Sequence, residues 1–389
     1  MTEVPGEALA SRIRPCGPTL EAPGLETLKA QLVEAGLGSV LDTAWPALAP
    51  VFAASPYLAS LARRRPEALG EMLKVSPEAT LTDILMRTGA LTGGTDEMKR
   101  PLRQAKADLH LLTALADLGG VWDLEAVTGA LSRFADATSQ AALRAVARDL
   151  RERGRLVSAP EPDNPIPGLF GLAMGKHGAL ELNYSSDIDI SLFYDPERLA
   201  SALAGGVEMQ RTVDRAAQAF AALLTERTGD GYVFRVDLRL RPDPSSTPPV
   251  VAVPMALDYY EGVGQNWERA AFIKARAMLG DRQAGHEFLE ALVPFVWRRS
   301  LDYQAILDVQ SIKRQIHVHK TGEGLEAAGA NLKLGRGGIR EIEFYAQTQQ
   351  LILGGRNPAL RLPATLPALE ALTRAGHVPE ATRAALSEA

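Results

Sequence analysis

Cysteine is almost missing from this chain. The single one, Cys16, lies in a proline-containing leader, which excludes a disulfide framework and a Cys-based metal site and makes a reducing cytoplasm the expected location. An excess of basic charge is missing too: forty-two Lys and Arg stand against forty-seven Asp and Glu, a net charge of -5. A chain that coats nucleic acid or an anionic membrane is usually basic, so neither is expected as a partner. No run approaches eighteen consecutive apolar residues, and Met1 to Pro18 has acids ahead of its first arginine and no apolar h-region. Neither a membrane span nor a secretory signal is expected.

What is present is a balanced globular mixture. With 389 residues, 46% hydrophobic and 23% charged, the chain is long enough for two or three packed domains and too apolar to remain disordered. Residues 1–24 carry prolines and glycines without periodicity and predict a flexible leader. From Leu25 to about Leu156 apolar residues recur at helical spacing, as in Leu111, Leu115 and Leu118 before the Gly119-Gly120 stop. Pro160, Pro162, Pro165 and Pro167 then predict a linker or a long entry loop.

Between Gly168 and Pro249 short β-branched and aromatic runs flank one helix. Phe170 to Met174 and Ile188 to Tyr194 predict strands, Met209 to Arg227 an amphipathic helix, and Gly231 to Leu240 a third strand. Helical pattern returns afterwards over Ala256–Tyr260, Trp267–Leu279, Arg282–Trp297, Tyr303–Lys320, Arg340–Leu353 and Pro363–Arg374. The expected domains are 25–122 (N-terminal helical), 123–280 (catalytic) and 281–389 (C-terminal helical).

The chemistry concentrates in a polar loop running into a hydrophobic strand, from Gly175-Lys-His-Gly178 to Ser185-Ser-Asp-Ile-Asp189. Residues two apart on a strand face one side, so Asp187 and Asp189 project together with Cα atoms roughly 6.5 Å apart, while Ile188, Ile190 and Leu192 face the core. Paired carboxylates suit a hard divalent ion, and Mg²⁺ is usually held by one or two carboxylates plus substrate phosphates. In the third expected strand Phe234, Val236, Leu238 and Leu240 alternate with Arg235, Asp237, Arg239 and Arg241. If it pairs beside the first carboxylate strand, Asp187, Asp189 and Asp237 form a metal-binding triad and the arginines neutralise phosphate oxygens. The blander alternatives are an acidic turn and a solvated sheet face.

Further blocks are weighed in the same way. Lys333-x-Gly335-Arg336-Gly337-Gly338 opens a helix, a favourable place for phosphate or AMP, against the alternative of a solvated Gly-rich turn. Arg340, Glu343, Gln347 and Gln350 share a stripe of that helix. Trp267 is expected in the core, with Glu268 and Arg269 in structural ion pairs. His317 and His319 do not share a helix face and are expected to be structural.

Gly175-Lys-x-Gly178 followed by Glu181-Leu-Asn183-x-Ser185-Ser-Asp187-x-Asp189 resembles the nucleotidyltransferase signature of glutamine synthetase adenylyltransferases. The resemblance continues through Asp237-Leu-Arg-Leu-Arg-Pro242, Trp267-Glu-Arg269, Lys274-Ala-Arg276 and Lys333-Leu-Gly-Arg-Gly-Gly-Ile-Arg-Glu-Ile-Glu-Phe344, covering most of Ser55 to Leu366. It implies an α+β fold: a DNA polymerase β-like nucleotidyltransferase core with a small mixed sheet, flanked by helical domains. It also implies one of two such halves of a longer chain, the N-terminal half that removes AMP.

By that resemblance, orthophosphate attacks the AMP phosphorus of an adenylylated tyrosine on glutamine synthetase, giving ADP and free tyrosine. Asp187, Asp189 and Asp237 would be catalytic and hold Mg²⁺; Gly175, Lys176, Gly178 and Ser186 would line the phosphate loop, with Arg239, Arg241, Lys333 and Arg336 on the nucleotide or phosphate. The PII signal-transduction protein is implied as a partner of the whole enzyme. The sequence departs from the family's Lys-Leu-Gly-Gly by having His177 and Ala179, with Leu180 after them, and His177 is expected to be exposed. Adenylyl transfer from ATP, and a regulatory PII- or glutamine-binding module, are the alternatives.

Overall fold

The computed structural model describes residues 6–159, 161–298, 332–333 and 337–388. The expected helix Tyr303–Lys320, His317, His319 and Arg336 lie outside them. The chain divides into two compact units, each assembled from separated stretches: Met1–Pro165, Leu180–Ile188 and Arg215–Val236 in the first, Ile166–Ala179, Asp189–Asp214 and Asp237–Ala389 in the second.

The first unit is mainly helical, with Gly38–Ala54, Pro56–Arg64, Pro66–Lys74, Pro77–Ala90, Thr95–Leu118 and Leu124–Glu152 as its principal helices. Their starts are written in the sequence. Ser55, Ser76 and Asp123 accept from the amides of Leu58, Ala79 and Ala126, and Pro56, Pro66 and Pro77 occupy first turns where a missing N–H costs nothing. Thr95–Leu118 and Leu124–Glu152 pack on each other through buried Leu109, Leu112, Val127, Leu131 and Phe134, joined through Gly120 at φ 67°. The boundary expected at 122/123 therefore runs through one core.

Two further expectations change here. Residues 1–24 contain the short helix Leu9–Arg12, whose Leu9 and Ala10 are buried and whose Leu9 amide donates to the Val75 carbonyl, so part of the leader is anchored. The proline loop is tied down: the Gln140 amide donates to the Pro162 and Asp163 carbonyls, and Arg151 to that of Pro165. The stretch Leu25–Ala54 reaches a mean hydropathy of 1.2 over eighteen residues, with half that window buried. Leu41, Ala44 and Leu48 account for this as core-facing residues of a helical path broken at Gly36.

The sheet is made of β1 (Leu169–Ala173), β2 (Ile188–Tyr194), β3 (Val236–Asp237), β4 (Val250–Ala252) and β5 (Arg276–Gly280), ordered β3-β2-β1-β5 with β4 also on β2. β1 runs antiparallel to β2 and β5, and β4 parallel to β2, so the sheet is mixed. β2 has neighbours on both sides, and only Asp189 among its seven residues is not fully buried. Phe170, Phe193 and Phe288 pack ring on ring behind it, 4.6 to 5.8 Å between centroids.

The third strand expected over Gly231–Leu240 shrinks to Val236–Asp237. Before it, the amides of Val233 and Phe234 both donate to the Leu224 carbonyl and close the end of the Met209–Thr225 helix. After it, the Arg239 amide bonds the Asp237 carboxylate and Arg241 bonds the Leu238 carbonyl, turning the chain away. The helix expected over Trp267–Leu279 ends at Phe272, and the rest becomes β5.

Candidate functional site

Gly175–Gly178 is a single helical turn between β1 and the loop that leads to β2. Met174 donates its amide to the Asp189 carbonyl at 2.9 Å, which registers the turn against β2. Gly175 has φ 53°, and a Cβ there would stand 2.9 Å from Asp189 Oδ2, so the bare glycine lets the backbone lie against that carboxylate. Gly178 is a packing glycine. Its missing Cβ would fall 1.9 Å from the Lys274 carbonyl oxygen and 2.5 Å from that of Ala173, while Arg276 donates to the carbonyls of His177 and Gly178. His177 is buried at 1% exposure, which corrects its expected place on the surface.

Because the clash at position 178 is with backbone atoms, Gly178→Ala is expected to destabilise the chain by about 3 kcal/mol or more. A denaturant melt of the two proteins reads this directly. A midpoint within error of the parent would contradict the close approach.

Asp189 and Asp237 belong to the second unit, on the neighbouring strands β2 and β3. Asp187 belongs to the first unit, one residue before β2 and two from Asp189 along an extended chain. Asp187 is exposed and salt-bridged to Arg235, whose carbonyl accepts from the Ile188 amide. Asp237 is gripped by Arg239 through both carboxylate oxygens, with contacts at 3.0 Å. That guanidinium holds the Asp237 carboxyl below the usual aspartate range. Arg241, expected on phosphate, spends its guanidinium on the carbonyls of Leu238, Pro244 and Thr247 and braces its own loop.

Asp214 was not foreseen. It lies on the Met209–Thr225 helix, accepts from Gln210 at 3.0 Å, and has its pKa raised by burial; Arg241 feels both it and Asp237. Only the i, i+4 spacing of Gln210 and Asp214 marked it in the sequence.

The donors suit Mg²⁺ by type, being hard carboxylate oxygens of which Asp237 is firmly ionised. They are not gathered: among the described residues no group of three or more His, Cys, Asp and Glu side chains stands close enough to hold an ion. Asp187 and Asp237 face guanidinium groups, so an entering cation competes with Arg235 and Arg239. Arg239→Gln should move the Asp237 titration up toward the ordinary aspartate value, followed by carboxyl carbon NMR. The sign for stability follows: a depressed folded pKa gives a contribution that is complete above about pH 4 and is lost as pH falls through the depressed value. An unmoved titration in Arg239→Gln would contradict the pairing.

Several residues of the remaining sequence blocks hold neighbouring elements together. Lys274 is buried, its Nζ 2.8 Å from Glu343 Oε1 and 3.2 Å from Thr365 Oγ1. Arg269, fully buried, donates to the carbonyls of Phe295 and Val296 and to Asn266 Oδ1, and Glu268 closes a capping box on Gln265. Trp267 is 43% exposed, not in the core as expected, because the helix Asn266–Phe272 buries its other face. Gly338 caps the helix Ile339–Leu353 as the glycine block predicts, and Lys333 is exposed. On that helix Gln350 is buried on the Leu360 and Leu362 carbonyls. Lys176 and Ser186 are half-buried at either end of the loop, with Leu180 (φ 61°) and Ser185 (φ 55°) between them in the left-handed region.

Comparison with known proteins matches residues 45–291 to the family described as glutamate-ammonia ligase adenylyltransferase. Residues 310–389 match the description GlnD PII-uridylyltransferase. A bifunctional glutamine synthetase adenylyltransferase/adenylyl-removing enzyme of Caulobacter vibrioides is 58% identical over 387 residues, 98% of this chain and 39% of the relative. Proteins of the same name from Bradyrhizobium sp. strain BTAi1 and Brucella suis are 50% and 46% identical over 86% and 88% of the chain. The chain thus spans well under half the length of these relatives, 34 to 39%. A small mixed sheet among helices gives an α+β architecture consistent with a nucleotidyltransferase-type domain. The chain belongs to the glutamate–ammonia ligase adenylyltransferase family.

Proposed function

We propose that this chain carries the adenylyl-removing activity: orthophosphate attacks the AMP phosphorus of an adenylylated tyrosine on glutamine synthetase, the P–O(tyrosine) bond breaks, and ADP and the free phenol leave. The observation that carries the reading is the adjacency of Asp189 on β2 and Asp237 on β3, with the Gly175 backbone laid against Asp189. The names of the relatives, which include removal as well as transfer, support it.

Phosphoryl and nucleotidyl transfer depend mainly on positioning and charge neutralisation. Asp187, Asp189 and Asp237 would hold Mg²⁺. When bound, that ion supplies charge neutralisation at the phosphoryl oxygens and at the tyrosine oxygen as it leaves. The loop from Gly175 through Lys176 to Ser186 would place the phosphates, its glycine backbone allowing close approach and the Lys176 ammonium drawing negative charge. Arg235 and Arg239, released from their carboxylates, would become donors to phosphate oxygens. Nothing in this account needs His177 as a base, consistent with its burial.

PII enters the proposal as a partner through the 310–389 match, whose description names it. The test is to incubate the chain with AMP-modified glutamine synthetase and Mg²⁺, with and without orthophosphate, and follow ADP by chromatography. Phosphate-dependent ADP release establishes the reaction. AMP incorporation from ATP into unmodified enzyme, without ADP release in the first assay, would assign the opposite reaction.

A further inference from the structure

The first unit contains a cavity of about 1170 Å³ whose walls include none of Asp187, Asp189 and Asp237, although Tyr184 and Ser185 on it belong to the loop that would place the phosphates. It exceeds the ordinary range for small-molecule sites, about 300 to 1000 Å³. Its walls come from the Pro56–Arg64 helix, the Thr95–Leu118 helix, Tyr184 and Ser185, and the turn from Arg227 to Tyr232. Six basic side chains face it, against two acids, Asp117 and Asp230.

The basic groups divide by what answers their charge. Arg65 is salt-bridged to Asp108, and Arg103 is buried on backbone carbonyls. Arg64, Arg100 and Arg227 are exposed along the wall, and among the described residues none of them has a carboxylate within salt-bridge distance. Lys106 sits deeper, its Nζ 3.9 Å from the centre of the Tyr232 ring and 3.1 Å from the Tyr232 carbonyl. Burial, with Arg235 and Arg103 nearby, pushes its pKa down to about 8. Aromatic faces share the cavity: Tyr57 is 49% exposed and bonds His110 Nδ1 at 3.0 Å, and burial pushes that imidazole down to about 3, which keeps it neutral.

Guanidinium groups along one wall that outnumber the acids and are not salt-bridged to them favour an anion with several acceptor oxygens, which they bind in fork geometry. Tyrosine faces beside them favour a planar ring. We propose that this cavity binds a mononucleotide-class ligand, a phosphate ester bearing a planar ring, with Arg64, Arg100 and Arg227 on the phosphate and Tyr57 and Tyr232 against the ring. The site needs neither Asp189 nor Asp237 and no divalent ion.

The whole chain titrated with AMP by calorimetry in EDTA and low salt tests this, because EDTA silences any binding that requires Mg²⁺. Adenosine, which lacks the phosphate, and ribose 5-phosphate, which lacks the planar ring, should each bind at least about tenfold more weakly than AMP; Arg100→Ala/Arg227→Ala should weaken AMP by a similar factor at an unchanged melting temperature. AMP should also slow acetylation of Lys106 by acetic anhydride, read by peptide mass spectrometry. The proposal is overturned if millimolar AMP does not bind, if the double variant binds it as the parent does, if ribose 5-phosphate matches AMP, or if Lys106 gains no protection. ADP release from AMP-modified glutamine synthetase in Mg²⁺ is measured separately, so failure here leaves the carboxylate reading untouched.

Discussion

Asp189→Asn is expected to lower ADP release from AMP-modified glutamine synthetase by roughly 10² to 10³-fold, the scale on which one charge-stabilising group at a reacting phosphorus acts. The substitution keeps size and shape, and Asp189 is the one partly open position on an otherwise buried interior strand, so the fold should survive. Loss of charge is then the whole effect. Gly175 cannot compensate, since its backbone lies against Oδ2 and brings no charge. Asp237→Asn should behave alike, with the difference that it also removes the charge paired with Arg239, a side chain 82% exposed. Turnover within about threefold of the parent, at an unchanged melting temperature, would remove Asp189 from the chemistry.

The largest stability effect is expected at Lys274 and Glu343. Glu343→Ala removes the carboxylate that stands 2.8 Å from a buried ammonium, and breaking a buried pair from one side costs about 3 to 5 kcal/mol. Lys274→Met should cost clearly less, because methionine is an apolar chain of similar length for a buried position and leaves the carboxylate, 21% exposed, in reach of water. The pair replaced together by Met and Leu should recover much of the Glu343→Ala loss. Urea melts of the three variants give the comparison, and equal losses in the two single variants would mean that the ammonium is not buried at a cost.

Where an element is held by its own residues, the sequence shows it. β2 is found at its full length because five apolar residues accompany Asp189 in it, and the helices of the first unit announce themselves through Ser55, Ser76, Asp123 and the prolines behind them. β5 was hidden: Ala275 to Leu279 are good helix formers, and only pairing with β1 makes them a strand. The same holds for the Arg235 to Arg241 segment, whose alternation predicts a long strand, whereas Asp237 accepts from the Arg239 amide and Arg241 donates to nearby carbonyls. The aspartates of the candidate site could be named in advance. Their arginine partners could not, since nothing in the spacing tells whether Arg239 faces a ligand or Asp237.

Arg103 sets a limit on how this chain can be divided. Its guanidinium is 1% exposed and donates to the carbonyls of Lys99, Leu223, Glu226 and Gly231, joining one helix to a turn more than a hundred residues later. A shortened protein ending at the proline loop would retain this cation inside the Thr95–Leu118 helix and lose three of its four acceptors, so expression of the N-terminal helices by themselves should give insoluble or molten material. Arg103 makes the helical region and the 215–236 segment one unit of heredity and of manufacture.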